Sequence, residues 1–252
     1  MKVIIAGELP FVQEVAKLCL DAGYDTHVFL VEDFLGAIES GYVLDDVGEV
    51  DVALELHNES AAAKQELILA LDHALPANAL LLTSALATSA TQAAAWVPMP
   101  GRVVGFGMVP PLRKDGGMIE LAAGLQTAAS SLVQAEKFIE GLGYETAVVG
   151  DGPGLVRART ICCLINEAAS ALFEGVATTA DIDQAMKLGT NYPYGPLEWG
   201  DYLGLDTVLG VMNGLFSEWG EDRYRPSPLL KRMVLAGKYG RKTGEGFFNY
   251  ES

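Results

Sequence analysis

The alternation of β-branched runs with helical stretches constrains the fold of this chain more than any other sequence feature. It extends over the first 150 residues and is typical of a parallel sheet covered by helices. Strands are predicted at Val3–Ala6, Thr26–Leu30, Val52–Leu56, Leu80–Thr83, Val103–Phe106, Met118–Ala122 and Thr146–Val149. Helical periodicity predicts helices at Phe11–Ala22 and Ala61–Leu75.

The strand signals stop after Asp151. Leu155–Ala177 reads as one long amphipathic helix. Thr179 is predicted to cap the next helix, whose first turn carries Asp181 and Asp183, where carboxylates favour the helix dipole. We therefore predict a Rossmann-like, doubly wound α/β domain over residues 1–151 and an all-helical domain over residues 152–252.

The charge of the chain argues against nucleic acid and anionic membranes as partners. The net charge is −16, and residues 1–100 hold fifteen Asp or Glu against three Lys. A solvated acidic surface explains most of this charge, and any anionic ligand there must rely on backbone amides and a helix N-terminus. Neither a membrane span nor a signal segment is recognisable, and the three cysteines lack ligand or disulfide spacing, so a cytoplasmic location is expected.

The helical half carries a series of motifs in a fixed order. They include Pro193-Tyr194-Gly195-Pro196-Leu197-Glu198, Gly204-Leu205-Asp206, Pro226-Ser227-Pro228 and Gly240-Arg241-Lys242-Thr243-Gly244-Glu245-Gly246-Phe247. This order resembles the C-terminal domain of the 3-hydroxyacyl-CoA dehydrogenase family. The resemblance implies an NAD-dependent oxidoreductase that acts at the 3-hydroxy or 3-oxo position of an acyl-CoA in fatty acid metabolism. It also implies a homodimer formed through the helical domains.

The first half is similar to the NAD-binding domain of that family, but its glycine loop departs from the pattern. The positions of G-x-G-x-x-G fall on Gly7, Leu9 and Val12, so only the first glycine is present. In this motif the second glycine lets the backbone approach the pyrophosphate, and the third lets the helix pack on the strand. Gly7 is the cofactor-binding residue that the resemblance assigns to the loop.

The second strand and the segment after it also differ from the family. The acidic residue expected for the ribose hydroxyls falls on Leu30, so Glu32 or Asp33 is predicted to substitute for it. The family inserts a long helical hairpin before the third strand, whereas only residues 32–50 are available here. Two long helices do not fit that span at about 1.5 Å per residue, so we expect a reshaped CoA site.

The residues that carry the chemistry of the family are only partly present. The resemblance assigns Ser84 to holding the substrate oxygen and Glu120 to orienting the catalytic histidine. That histidine falls on Gly107, and the asparagine that also holds the oxygen falls on Ala158. A proton acceptor and one oxygen donor are therefore missing from their expected positions.

Three residues correspond to groups that lie near the cofactor in the family. The pattern E-A-x-x-E is matched by Glu55-Leu56-His57-Asn58-Glu59, which assigns Glu59 and the following Lys64 to the nicotinamide ribose. Lys242 corresponds to a further lysine near the cofactor. An alternative interpretation makes Lys64 a solvated cation on a helix surface, close to Glu59.

His57 follows the third predicted strand at its carboxyl end, where doubly wound folds bind their ligands. His27 and His73 lie elsewhere, on a strand and a helix. His57 is therefore a candidate for a relocated base, with Asn58 in place of the lost oxygen donor. A solvated loop histidine is the alternative interpretation.

Three functions remain open from the sequence. The first is the NAD-dependent dehydrogenase, supported by Ser84, Glu120 and Glu59. The second is a catalytically inactive protein that binds an acyl-CoA-type ligand, supported by the changes at Gly107 and Ala158. The third is a dimeric interaction protein that keeps only the fold.

Overall fold

The computed structural model describes residues 1–39, 49–110, 112 and 117–250, except for the side chain of residue 39. Seven strands form one sheet: β1 Lys2–Gly7, β2 Asp25–Leu30, β3 Val52–Leu56, β4 Leu80–Ser84, β5 Val103–Gly107, β6 Met118–Ala122 and β7 Glu145–Val148. Their order is β2-β1-β3-β4-β5-β6-β7. Neighbouring strands are parallel except β5 and β6, which are antiparallel.

Helices cover the sheet and form the second half of the chain. They are α1 Phe11–Asp21, α2 Val31–Glu39, α3 Ala61–Ala74, α4 Ala90–Ala95, α5 Ala129–Gly141, α6 Arg157–Phe173, α7 Thr179–Thr190, α8 Pro196–Leu203, α9 Leu205–Trp219 and α10 Pro228–Leu235. Short 3₁₀ turns occupy Pro100–Arg102, Asp222–Tyr224 and Arg241–Thr243. Among the described residues, no helix combines the length and the apolar character that a membrane crossing requires.

The central strands β1, β3, β4 and β5 are buried on both faces, which explains why they read as largely apolar runs. Val3, Ile5 and Leu54 belong to one buried cluster, whereas Ile4 and Ala53 belong to another on the opposite face. Successive side chains of a strand point to opposite faces, so one strand supplies both clusters. The predicted fold class, a doubly wound sheet followed by helices, is confirmed.

Two details of the predicted helix starts are wrong. Thr178, not Thr179, caps α7, because its side chain accepts the backbone N–H of Asp181. The carboxylate of Asp183 does not interact with the N-terminus of its own helix, α7. It is buried and accepts the backbone N–H groups of Leu197 and Glu198, each at 2.8 Å, so it caps the start of α8.

The connection between β2 and β3 contains α2, which begins directly after the second strand. This single described helix has nine residues. The sequence predicts that this connection is too short for two long helices. Residues 40–48 of the connection lie outside the described residues.

Candidate functional site

The candidate site lies at the carboxyl edge of the parallel strands. β1, β3, β4 and β5 all end at this edge, at Gly7, Leu56, Ser84 and Gly107. β2 and β3 flank β1 on opposite sides, so the strand order reverses beside β1. Ligands of open α/β sheets bind outside the carboxyl ends at such a reversal.

Ser84 and Asn58 form a buried hydrogen-bonded pair at the ends of β4 and β3. The Ser84 hydroxyl donates to Oδ1 of Asn58 at 2.7 Å, and both residues are almost fully buried. Nδ2 of Asn58 has no acceptor among the parts of the chain that the structure describes. Leaving a buried donor unpaired costs about 1–3 kcal/mol, so this amide group is suited to an oxygen atom of a ligand.

His57 lies beside this pair and contacts a carboxylate from the β1–α1 turn. Its Nδ1 is 2.8 Å from Oε2 of Glu8, whose Oε1 accepts the backbone N–H of Asn58 at 3.0 Å. Nε2 of His57 accepts the backbone N–H of Ser60 at 3.2 Å. Burial lowers the pKa of His57, but the carboxylates of Glu8 and Glu55 outweigh it, so the net effect is a raised pKa. The solvated alternative for His57 is wrong, since the residue is buried.

Lys64 and Glu55 form a buried ion pair under the same loop. Lys64 is 1% exposed, pairs with Oε2 of Glu55 and donates to the carbonyl oxygen of His57 at 3.0 Å. Thr83 also donates to this Glu55 oxygen, at 2.7 Å. The alternative of a solvated Lys64 is therefore wrong. The lysine instead fixes the loop that carries His57.

A second ion-pair group connects this loop to the helical half. Nζ of Lys242 lies 3.0 Å from Oε1 of Glu59 and also pairs with Oδ2 of Asp206, at the start of α9. Burial, together with the carboxylate of Glu59, raises the pKa of Asp206 to about 7 although Lys242 opposes the shift. Glu59 and Lys242, predicted from separate motifs, are thus brought together.

Gly107 and Glu120 face each other as partners in the antiparallel β5–β6 pair. A Cβ atom on Gly107 would lie 3.3 Å from Oε2 of Glu120, so this position points at the carboxylate. Without a side chain there, Glu120 accepts the backbone N–H groups of Val156 and Arg157 at the start of α6. Ala158, in the same turn, is buried.

A cleft of about 270 Å³ lies between the β3–α3 loop, the β4–α4 connection and α9. Asn58, Glu59 and Lys64 line it. Side chains at Gly210 and Gly214 of α9 would collide with the carbonyl oxygens of Asn58 and Ala87, so α9 approaches both loops closely. A larger cavity, of about 610 Å³, lies against α1 and contains none of the predicted site residues.

Known sequences match the chain over nearly its whole length. The model of the 3-hydroxyacyl-CoA dehydrogenase NAD binding domain matches residues 13–152, and that of the 3-hydroxyacyl-CoA dehydrogenase C-terminal domain matches residues 154–250. A probable 3-hydroxybutyryl-CoA dehydrogenase of Bacillus subtilis is 36% identical over 221 residues, which cover 88% of this chain and 77% of that protein. This chain belongs to the 3-hydroxyacyl-CoA dehydrogenase family.

Two further relatives agree with this assignment. The 3-hydroxybutyryl-CoA dehydrogenase of Bradyrhizobium diazoefficiens is 35% identical over 86% of this chain and 73% of its own length. The crystal structure of (S)-3-hydroxybutyryl-CoA dehydrogenase from Ralstonia eutropha superposes with a TM-score of 0.79 at 29% identity, covering 100% of this chain and 99% of that chain.

The β1–α1 turn is where this family member departs from a usual dinucleotide loop. Phe11 is buried in the core and Leu9 is exposed to solvent, and the cleft is lined by neither side chain. A Cβ atom on Gly7 would lie 2.6 Å from the backbone of Leu56. Close packing against the neighbouring strand therefore accounts for the glycine at this position. Glu32 is exposed in the first turn of α2, three strands away from Ser84.

The residues around the cleft fit the nicotinamide end of NAD better than its pyrophosphate. The unpaired amide of Asn58 offers a donor to an oxygen atom, and the carboxylate of Glu59, in the same cleft, offers an acceptor to ribose hydroxyls. The turn after β1 presents the carboxylate of Glu8 and has Leu9 and Val12 at the second and third glycine positions. Phosphate groups there would depend on the backbone amides at the start of α1.

Glu8, Thr83 and Asp206 belong to this cluster but were not predicted from the sequence. Glu8 contacts the predicted His57, and Asp206 contacts the predicted Lys242. Thr83 contacts Glu55, the first residue of the motif from which Glu59 was predicted. Glu8 follows the first strand directly, and that position at a ligand-binding edge is the one signal that could have identified it.

Proposed function

We propose that this protein is an NAD-dependent oxidoreductase that acts at the 3-hydroxy or 3-oxo position of an acyl-CoA in fatty acid metabolism. The observation that carries the proposal is the buried group at the carboxyl edge, in which Ser84 orients Asn58 and Asn58 keeps an unpaired amide donor beside His57. Membership in the family and the similarity to 3-hydroxybutyryl-CoA dehydrogenases support the reaction class.

The side chains at this edge have complementary roles in the proposed reaction. Bound NAD supplies the hydride acceptor or donor. Nδ2 of Asn58 holds the 3-oxygen of the substrate, where charge develops, and Ser84 fixes the orientation of that amide. Nε2 of His57 takes the hydroxyl proton after the substrate displaces the 3.2 Å contact from the Ser60 amide. Glu59, Lys64 and Lys242 hold the loop and the cofactor ribose.

The proposal also includes two domains, a homodimer and a cytoplasmic location. A division into a sheet domain over residues 1–151 and a helical domain over residues 152–252 is supported by the family matches, of which one ends at residue 152 and the other begins at residue 154. A homodimer through the helical half is supported by its exposed apolar side chains, such as Val176, Leu188 and Leu235. A cytoplasmic location is supported by three free cysteines.

Turnover of acetoacetyl-CoA with NADH, followed by the loss of NADH absorbance, tests the reaction. His57→Ala should lower kcat on the order of 10²–10⁴-fold, because a positioned general base contributes that much. His73→Ala is the matched control, since His73 is exposed on α3. Absence of turnover in the wild type, or equal kcat for wild type and His57→Ala, would contradict the proposed mechanism.

A second candidate function is the binding of an acyl-CoA without turnover. It is favoured by Glu120, whose carboxylate is occupied by the N–H groups at the start of α6 and faces no side chain at Gly107. Thermal unfolding with NADH or acetoacetyl-CoA separates the two candidates, because each ligand stabilises the protein according to its concentration relative to Kd. Stabilisation by acetoacetyl-CoA alone, without turnover, would favour this second function.

A further inference from the structure

The turn between β1 and α1 carries a carboxylate, that of Glu8, at the variable position after the first glycine of the dinucleotide motif. Glu8 follows Gly7 directly, and its side chain is only 10% exposed. Its backbone is held on both sides, because its N–H donates to the carbonyl oxygen of Leu56 and its carbonyl oxygen accepts the N–H of Val12. The carboxylate therefore has a defined position at the ligand-binding edge.

Both oxygens of this carboxylate are directed at the β3–α3 loop. Oε2 lies 2.8 Å from Nδ1 of His57, and Oε1 accepts the backbone N–H of Asn58 at 3.0 Å. The same residue thus holds the imidazole ring and the backbone of the neighbouring oxygen donor. No second basic partner of Glu8 is found in the described part of the chain.

We propose that Glu8 is the positioning residue of His57, so that the β1–α1 turn of this protein orients a base in addition to bordering the cofactor site. This inference rests on the proposed function. Nε2 of His57 accepts the Ser60 N–H and therefore keeps its lone pair, which places the ring proton on Nδ1, 2.8 Å from the Glu8 carboxylate. The carboxylate also stabilises the imidazolium that forms when Nε2 takes a proton.

The charges around the ring are compatible with this role. Glu8 faces it from the β1–α1 turn, Glu55 from β3, Glu59 from the following loop and Lys64 from α3. Of these groups, Glu8 is the one that contacts a ring nitrogen. The carboxylate of Glu55 is paired with Lys64, so it acts on the imidazole ring through its charge and not through a direct contact.

The substitution Glu8→Gln tests the role of the carboxylate. The glutamine oxygen can still accept the Asn58 N–H, but its amide NH₂ then faces Nδ1 and requires the lone pair there. The proton moves to Nε2, which removes the base and breaks the contact of that nitrogen with the Ser60 N–H, so kcat should fall on the order of 10²–10⁴-fold. The Kd for NADH should not rise, because a negative charge is removed. The control is Glu66→Gln, on the exposed face of α3.

A spectroscopic readout separates this inference from the proposed function. ¹⁵N NMR of the three histidines, with His57→Gln used for assignment, reports which ring nitrogen is protonated. We expect the Nδ1–H form in the wild type and the Nε2–H form in Glu8→Gln, and the pH profile of kcat should move to lower pH. If the NMR result holds but the wild type shows no turnover, Glu8 still positions His57 and only the proposed function fails. An unchanged tautomer in Glu8→Gln, with unchanged kcat, would overturn the inference.

Discussion

The buried ion pair between Lys64 and Glu55 allows a quantitative prediction for Lys64→Met. The two side chains are 1% and 0% exposed, and methionine has a similar length without the charge. Glu55 would keep the Thr83 hydroxyl and the His57 N–H but would lose its only cationic partner in the described part of the chain. Removing one partner of a buried pair costs about 3–5 kcal/mol.

This loss is a large share of the stability of an ordinary protein, which is about 5–15 kcal/mol. Each kcal/mol corresponds to about 2–4 °C in Tm for a chain of this size, so Tm should fall by roughly 6–20 °C. Turnover should fall as well, because the His57 carbonyl oxygen loses its 3.0 Å contact with Nζ of Lys64.

Urea unfolding followed by circular dichroism measures the change in free energy, and calorimetry measures Tm. Lys17→Met is the control, since Lys17 is exposed on α1 and should change stability by less than about 0.5 kcal/mol. The double variant Lys64→Met/Glu55→Gln should regain most of the loss, because no unpaired charge stays buried. A loss below about 1 kcal/mol for Lys64→Met, or a double variant as unstable as the single one, would refute the reasoning.

Three further predictions follow from the same structure. Asp183→Ala should cost about 1–3 kcal/mol in urea unfolding, because one buried and one partly buried backbone N–H at the start of α8 lose their acceptor, whereas Asp181→Ala on the exposed turn should cost less. The raised pKa of His57 stabilises the folded state below the unfolded pKa of about 6.5, and this contribution is lost as pH rises through the folded pKa. The stability difference between wild type and His57→Gln should therefore be larger at about pH 5.5 than at about pH 8, and no change with pH would contradict the assigned contacts. Gly107→His should lower the free energy of unfolding by about 1–3 kcal/mol, because its Cβ alone would lie 3.0 Å from Cδ1 of Leu155; equal stability would mean that the pocket has room for a side chain.

The elements of this fold follow from local patterns. Predicted strands such as Val52–Leu56 and Met118–Ala122 agree with the observed bounds, because an apolar run flanked by turn residues forms a strand wherever both faces of a sheet are covered. The family motifs also indicate that Gly107 and Glu120 face each other, and the strand register confirms this. The bounds of the strands and the fold class are thus determined by the pattern of apolar and turn residues that are close together in the sequence.

The partners of the polar side chains depend on the folded chain. One interpretation of the sequence makes Lys64 a surface residue on a helix, yet Lys64 is buried because its ammonium group pairs with Glu55 of β3. Asp183 accepts backbone N–H groups fourteen and fifteen residues further along the chain, and Glu8 contacts His57, which follows a different strand. Charge and periodicity in the sequence identify the polar side chains and the elements that carry them. Only packing brings distant side chains within hydrogen-bonding distance and removes the water that would otherwise solvate them.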